Sequence, residues 1–129
     1  MAEDTLRFAK THEWIRPEAG GLATVGISAY AVEALTDLVF MQLPEVGRRV
    51  KAGESFGEIE SVKAVSDIYA PVSGEIVEVN TALPGQLETL GADPYGAGWV
   101  MRIRPEDPAE MAALMDRSAY DAMVKAAPH

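Results

Sequence analysis

The stretch Glu60-Ser61-Val62-Lys63-Ala64-Val65-Ser66-Asp67 decides how this chain folds. It lies between two strand-like runs, Glu54-Ser55-Phe56-Gly57-Glu58-Ile59 before it and Ile68-Tyr69-Ala70 after it, the second closed by Pro71. Two extended segments so close in sequence must reverse direction, and tight reversals draw on residues that tolerate positive φ. This reversal holds no glycine, proline or asparagine, and it carries a lysine near its middle. A local choice that departs from backbone preference points to function. Lys63, the only lysine between Lys51 and Lys125, is therefore expected at a hairpin tip as an attachment point.

Outward from this hairpin the chain is a series of short strands punctuated by Gly47, Gly53, Gly57, Gly74 and Gly85. Val50 to Gly53 reads as a turn, as does Pro71-Val72-Ser73-Gly74, and Glu75 to Val79 alternates as a half-buried strand does. Gly57-Glu58-Ile59-Glu60-Ser61-Val62 resembles Gly74-Glu75-Ile76-Val77-Glu78-Val79, which hints at two related β units. Nearer the start, Phe8 to Arg16 reads as a short strand pair or extended segment closed by Pro17. Gly20-Gly21 turns the chain into a strand over Leu22 to Ile27, giving a hairpin. Ser28 is placed to cap a short helix over Ala29 to Leu35, and Asp37 to Leu43 is β-favouring up to Pro44.

Beyond Val79, Leu83 to Pro94 reads as irregular, and Trp99 to Arg104 as the last strand. Asp107-Pro108-Ala109-Glu110 is a helix start with cap, first-turn proline and a glutamate three after the cap. Met111, Leu114 and Met115 supply its apolar stripe. Ser118 is expected to begin a last helix through Lys125, with Tyr120, Met123 and Val124 inward. The pattern as a whole is that of a mainly β, glycine-punctuated domain with a short inserted helix and a C-terminal helical tail. One compact domain is expected over 1–129, its core at about 22–104 and its helices at about 107–126.

Composition narrows the function. In 129 residues, 48% of them hydrophobic, 11 Lys+Arg stand against 20 Asp+Glu, a formal net charge of -9. A surface of that sign repels phosphate backbones and anionic lipid, so no nucleic-acid or membrane partner is expected, and basic protein surfaces are favoured. The start is acidic and lacks the apolar run of a signal peptide, which fits a soluble, cytoplasmic chain. Absence of cysteine removes disulfides, thiolate nucleophiles and soft-metal ligands. Of the two histidines one is terminal, so a hydrolase triad or zinc site would rest on His12 alone. Glu58 and Glu60 share a strand face and look like a solvated acidic surface. No glycine-rich loop links a strand to a helix as phosphate binding requires. Demanding chemistry would need an attached cofactor.

Taken together, these motifs resemble those of the glycine cleavage H-protein family. The matching pieces are Thr11-His12-Glu13-Trp14, Val25-Gly26-Ile27-Ser28, Leu43-Pro44-Glu45-Val46-Gly47, Lys51-Ala52-Gly53 and Phe56-Gly57 through Asp67. They continue with Ala70-Pro71-Val72-Ser73-Gly74-Glu75, Asn80, Asp93-Pro94-Tyr95-Gly96, Gly98-Trp99 and Asp107-Pro108-Ala109-Glu110. Leu87, Thr89 and Gly91 depart from it, standing where the family usually shows proline and an apolar-x-Asn element.

The resemblance implies a flattened barrel or sandwich of the lipoyl-domain kind, forming a single lipoyl-carrier domain: a monomeric, non-enzymatic shuttle with lipoate in amide linkage on Lys63. It implies that Thr11, Glu13 and Asp67 line a cleft for the loaded arm, where a carboxylate would favour the charged form of the arm's amine. The implied partners are a pyridoxal-phosphate glycine decarboxylase, a tetrahydrofolate-dependent aminomethyltransferase, dihydrolipoamide dehydrogenase and a lipoylating enzyme. A lipoate-relay protein, which passes its arm to other acceptors, needs the same lysine. A lipoyl or biotinyl carrier domain of a larger enzyme is the other alternative, although Val62 and Ala64 flank the lysine where biotinyl carriers usually have methionines.

Overall fold

A computed structural model describes residues 6–35 and 37–126; the acidic start at 1–5 and the terminal His129 lie outside the described residues. In chain order the elements are β1 (Arg7–Phe8), β2 (Glu13–Pro17), β3 (Ala23–Ile27), α1 (Ala29–Leu35), β4 (Leu38–Gln42), β5 (Arg49–Val50) and β6 (Ser55–Ser61). There follow β7 (Val65–Tyr69), β8 (Gly74–Val79), α2 (Glu88–Ala92), β9 (Met101–Pro105), α3 (Pro108–Ala112) and α4 (Arg117–Ala126). The strands form two antiparallel sheets, β1-β2-β3-β9-β8-β5 and β4-β6-β7, not closed into a barrel. The sandwich alternative of the expected fold is the one observed.

One core joins the two sheets. Ile15, Val25, Ile76 and Ile103 from the larger sheet and Met41, Ile59 and Ile68 from the smaller one belong to a single buried cluster. A second cluster, Leu6, Phe8, Trp14 and Tyr120, packs with Met123 and Val124 of α4. Successive side chains of a strand point to opposite faces, so Trp14 reaches the second cluster while Ile15 reaches the first. β2 is therefore buried on both faces over Glu13, Trp14 and Ile15.

Local chemistry accounts for the element ends. Gly20 and Gly21 both adopt φ of 76°, the left-handed region that lets the β2–β3 hairpin turn. Ser28 Oγ accepts from the Ala31 N–H at 3.3 Å and so caps α1. At α3, Asp107 accepts from the Ala109 N–H at 3.0 Å, as its sequence predicts. Glu110 does not complete the reciprocal capping pair. Its carboxylate accepts instead from the Ser73 N–H at 2.8 Å and the Ser73 hydroxyl at 3.0 Å, pinning the Pro71–Gly74 turn to the helix. α4 begins one residue before Ser118, and Asp116 accepts from the Ala119 N–H at 2.8 Å in the capping role expected of that serine.

The segment read as irregular holds a 3₁₀ turn at Leu83–Gly85 and the helix α2. Leu83, Leu87 and Leu90 stand at i, i+4 and i+7, and Leu83 and Leu90 are fully buried. The nearby Pro84-Gly85 and Gly91 obscured that stripe in the sequence. The Val50 to Gly53 turn is present, with Gly53 at φ of 85°, although Val50 also pairs with Gly74 as half of β5.

Candidate functional site

β6 and β7 pair as an antiparallel hairpin with Glu60 opposite Val65, leaving Val62-Lys63-Ala64 at the tip. Positive φ is confined, among the described non-glycine residues, to His12, so the tip turns without the left-handed conformation. The side chain of Ser61 replaces it. Ser61 Oγ accepts from the Ala64 N–H at 3.1 Å, while the Ser61 N–H donates to the Ala64 carbonyl at 2.8 Å. Serine hydroxyls mimic a backbone turn in this way. The Val62 N–H also donates to the Asp37 carbonyl at 3.1 Å, tying the tip to the start of β4. Lys63 is thus an exposed amine on a rigid support, with no ion pair among the described residues.

Two of the three cleft residues expected from the family resemblance come together. Glu13, only 3% exposed, accepts the Thr11 hydroxyl on Oε1 and the Tyr69 N–H on Oε2 at 3.0 Å. The carboxylate thereby joins the edge of β7 to the larger sheet. Burial pushes the Glu13 carboxyl up to about 7, against the lowering pull of the Thr11 hydroxyl and the Tyr69 amide. Thr11 and Tyr69 open onto a cleft of about 650 Å³ whose walls include Phe8, Ala52, Pro71 and Leu114.

Asp67 stands apart from that pair. It is exposed on β7 opposite Glu58, two residues before Tyr69. Lys63 lies in the turn rather than in a regular strand, so Val65 and Asp67, not Lys63 and Asp67, share a strand face. At ~3.3 Å per residue Asp67 is about 7 Å along β7 from Val65 and Tyr69 about 13 Å. An arm folded back along β7 would pass the first before reaching the second. A second cleft of about 570 Å³ lies between α1 and α2, lined by Val32, Glu33, Asp37, Leu38, Leu87, Glu88 and Gly91. Two of the residues that depart from the family pattern, Leu87 and Gly91, line this cleft.

Sequence reasoning set His12 aside as a packed or surface residue of the first strand. It sits instead in the tight turn between β1 and β2 at φ of 84°, half-buried, with Nδ1 2.7 Å from the Tyr120 hydroxyl. That hydroxyl is 2.6 Å from the buried Ser28 Oγ. Burial pushes the Tyr120 phenol up to about 12 and lowers the His12 imidazole. Ser28 is 0% exposed and also caps α1, so the trio fastens α4 to the sheet and presents no accessible nucleophile. The pairing spans 108 residues and has no local sequence signal. Among the described residues no cluster of His, Asp and Glu could hold a metal, and no helix is long and apolar enough to cross a membrane.

Other motif residues turn out to be architectural. Trp14 Nε1–H donates to the Pro94 carbonyl at 3.0 Å and Arg16 to the Tyr95 carbonyl at 2.9 Å. The Asn80 amide donates to the carbonyls of Ala97 and Trp99 at 3.0 and 2.9 Å.

Comparison with known proteins agrees with this geometry. A family model described as glycine cleavage H-protein matches residues 6–127. The chain is 56% identical over 119 residues to the glycine cleavage system H protein of Phenylobacterium zucineum, covering 92% of this chain and 98% of that one. It is 52% identical over 120 residues to the protein of that name from Escherichia coli O7:K1, covering 93% of each. A crystal structure of a glycine cleavage system H protein from Mycobacterium marinum superposes with a TM-score of 0.86 at 47% identity, covering 95% of this chain and 98% of that one.

Proposed function

Because the chain belongs to the glycine cleavage H-protein family over residues 6–127, we propose that it is the system's lipoylated shuttle, with lipoate in amide linkage on Lys63. The observation that carries this reading is the hairpin tip, where an exposed, unpaired lysine stands on a turn closed by a neighbouring side chain. When attached, the dithiolane of lipoate accepts the aminomethyl group derived from glycine and is restored by reoxidation. The protein's own residues position the arm and catalyse nothing. Transfer runs from the pyridoxal-phosphate glycine decarboxylase to the tetrahydrofolate-dependent aminomethyltransferase, with dihydrolipoamide dehydrogenase closing the cycle.

Thr11, Glu13 and Asp67 serve the loaded arm. Asp67 offers an exposed carboxylate along the path from the tip, and the Thr11–Glu13 pair offers a buried one at its end. A cationic amine arriving there favours the ionised form of Glu13, and the carboxylate in turn favours the protonated amine. In that state the nitrogen has no free lone pair with which to expel the arm's thiolate, so the loaded group would be held against hydrolysis.

The test is peptide mapping after incubation with a lipoylating enzyme, lipoate and ATP. One lipoyl group is expected, on Lys63. Lys63→Arg keeps the fold and the positive charge but takes no label, and it supports no glycine decarboxylation with the partner enzymes. Label on Lys51 or Lys125, or glycine turnover by the unmodified chain alone, would refute the carrier reading.

A further inference from the structure

The outer face of the three-stranded sheet differs from the rest of the surface. Phe40, Glu60 and Val65 register across β4, β6 and β7 and share one face, and Gln42, Glu58 and Asp67 form the next row. Phe40 is 49% and Val65 60% exposed, Val39 at the β4 bulge 55%, and Val62 at the tip 74%. Four of the five large hydrophobic residues left exposed in the described chain thus gather around Lys63.

Charge is equally uneven. The ion pairs among the described residues use Arg16, Arg48, Arg49, Arg102, Arg104 and Arg117, and none involves Asp37, Glu58, Glu60 or Asp67. Within β4, β6, β7 and the tip the one cation is Lys63 itself. Acylation removes that charge and leaves a face of apolar side chains and unneutralised carboxylates.

We propose that this face is the docking surface for the enzyme that acylates Lys63, and that it fits an apolar depression rimmed by arginine or lysine. The inference rests on the carrier reading above. An enzyme that forms the amide must bring the acyl carbon to about 3–3.5 Å from Nζ, so it must cover the tip and the residues beside it. Enzymes working at the far end of a loaded arm meet the arm first and can leave this face uncovered. In the step itself the unprotonated Nζ attacks the carbonyl of an acyl-adenylate made from lipoate and ATP. The carbon–nitrogen bond forms, the carbon–oxygen bond to AMP breaks, and the amine gives up one proton to solvent. Docking desolvates Phe40 and Val65, while the carboxylates steer a basic surface into register.

The experiment measures acylation by a purified lipoate–protein ligase, with lipoate and ATP, as a function of acceptor concentration. Phe40→Thr and Val65→Thr each place a β-branched residue with good strand propensity at the substituted position. Each should raise the acceptor KM about tenfold, with kcat unchanged. Once driven to full acylation with excess ligase, both variants should accept the aminomethyl group from the decarboxylase at the parental rate. For the parent, KM should rise with added salt, because the charged part of the contact is screened. Variant KM values equal to the parent's, a parental KM indifferent to salt, or aminomethyl loading that falls as far as acylation would each overturn the proposal. Thermal unfolding screens the variants, with Val39→Thr replacing any that melts early, and the salt series needs no variant. If the parent takes no label on Lys63, the carrier reading has failed. If it does and the variants match it, the docking surface alone has failed.

Discussion

Glu13 is a carboxylic acid placed where its charged form is disfavoured, and this has a sign that stability can read. Its carboxyl sits at about 7 in the folded chain against 4.5 as the ordinary value. Between those values the folded state holds a proton that the unfolded state has released, so stability falls as pH rises from 4.5 to 7. The contribution is fully present below 4.5 and gone above 7, and the span corresponds to about 3 kcal/mol at most. Glu13→Gln should flatten this slope, leaving the variant more stable than the parent at pH 8.5 and close to it at pH 4.5, as read by urea unfolding. A parent with no loss across this window would show that Glu13 ionises freely. The same variant, lipoylated, aminomethyl-loaded and freed of decarboxylase, should release ammonia faster than the parent, and Asp67→Asn should do likewise. Parental rates in both would move the arm away from Thr11 and Glu13, toward the cleft at Leu87 and Gly91. Of this site the sequence made Lys63 legible, because a lysine replaced turn residues there. Thr11 and Glu13 were legible only through family likeness, since their tie to Tyr69 crosses 56 residues. The His12 contact to Tyr120 was not legible at all.

At the scale of elements, the β6–β7 hairpin shows how a turn forms without the residues that turns prefer. The Ser61 hydroxyl holds the Ala64 N–H and is part of a buried residue, so removing it leaves that amide short of a partner. Ser61→Ala should cost about 1 kcal/mol and speed hydrogen exchange at the Ala64 amide relative to the rest of the sheet. Unchanged exchange would mean that the Ser61 N–H to Ala64 carbonyl bond holds the tip unaided. The hexapeptide likeness between β6 and β8 also finds a physical basis. A Cβ on Gly57 would fall 2.5 Å from the Gln42 carbonyl oxygen, and one on Gly74 would meet the Arg104 carbonyl oxygen. Both hexapeptides open on a glycine because a neighbouring strand's backbone approaches there. Most strand positions were legible from the glycines and prolines near their ends, and β6 and β7 from the lysine-bearing reversal between them. The caps Ser28 and Asp107 were legible, but Asp116, not Ser118, caps α4, and Glu110 answers to Ser73 across the fold.

For the molecule as a whole, the question is what holds the last helix against a sheet whose other face already packs on the smaller sheet. α4 is amphipathic, with Tyr120 3% exposed and stacked on Phe8 at 4.3 Å between ring centroids, nearly parallel. Apolar burial could suffice, yet the phenol also links His12 to Ser28, joining α4, the turn before β2 and the start of α1 through one oxygen. Tyr120→Phe separates the two contributions, because the ring and its packing remain while the hydroxyl goes. The Ser28 hydroxyl, wholly buried, and the imidazole then each lose a hydrogen-bond partner, a loss of about 1–3 kcal/mol in unfolding free energy. Tyr120→Ala, which also empties the ring's site, should lose more, about 3–5 kcal/mol by analogy with other large-to-small aromatic changes. Lipoylation of Lys63 should be unaffected in the folded Phe variant, because the tip belongs to the other sheet. A Phe variant as stable as the parent would show that packing alone holds the helix. A Phe variant that is stable but poorly lipoylated would show instead that the helix is coupled to the hairpin, by way of His12, Glu13 and the Tyr69 amide of β7.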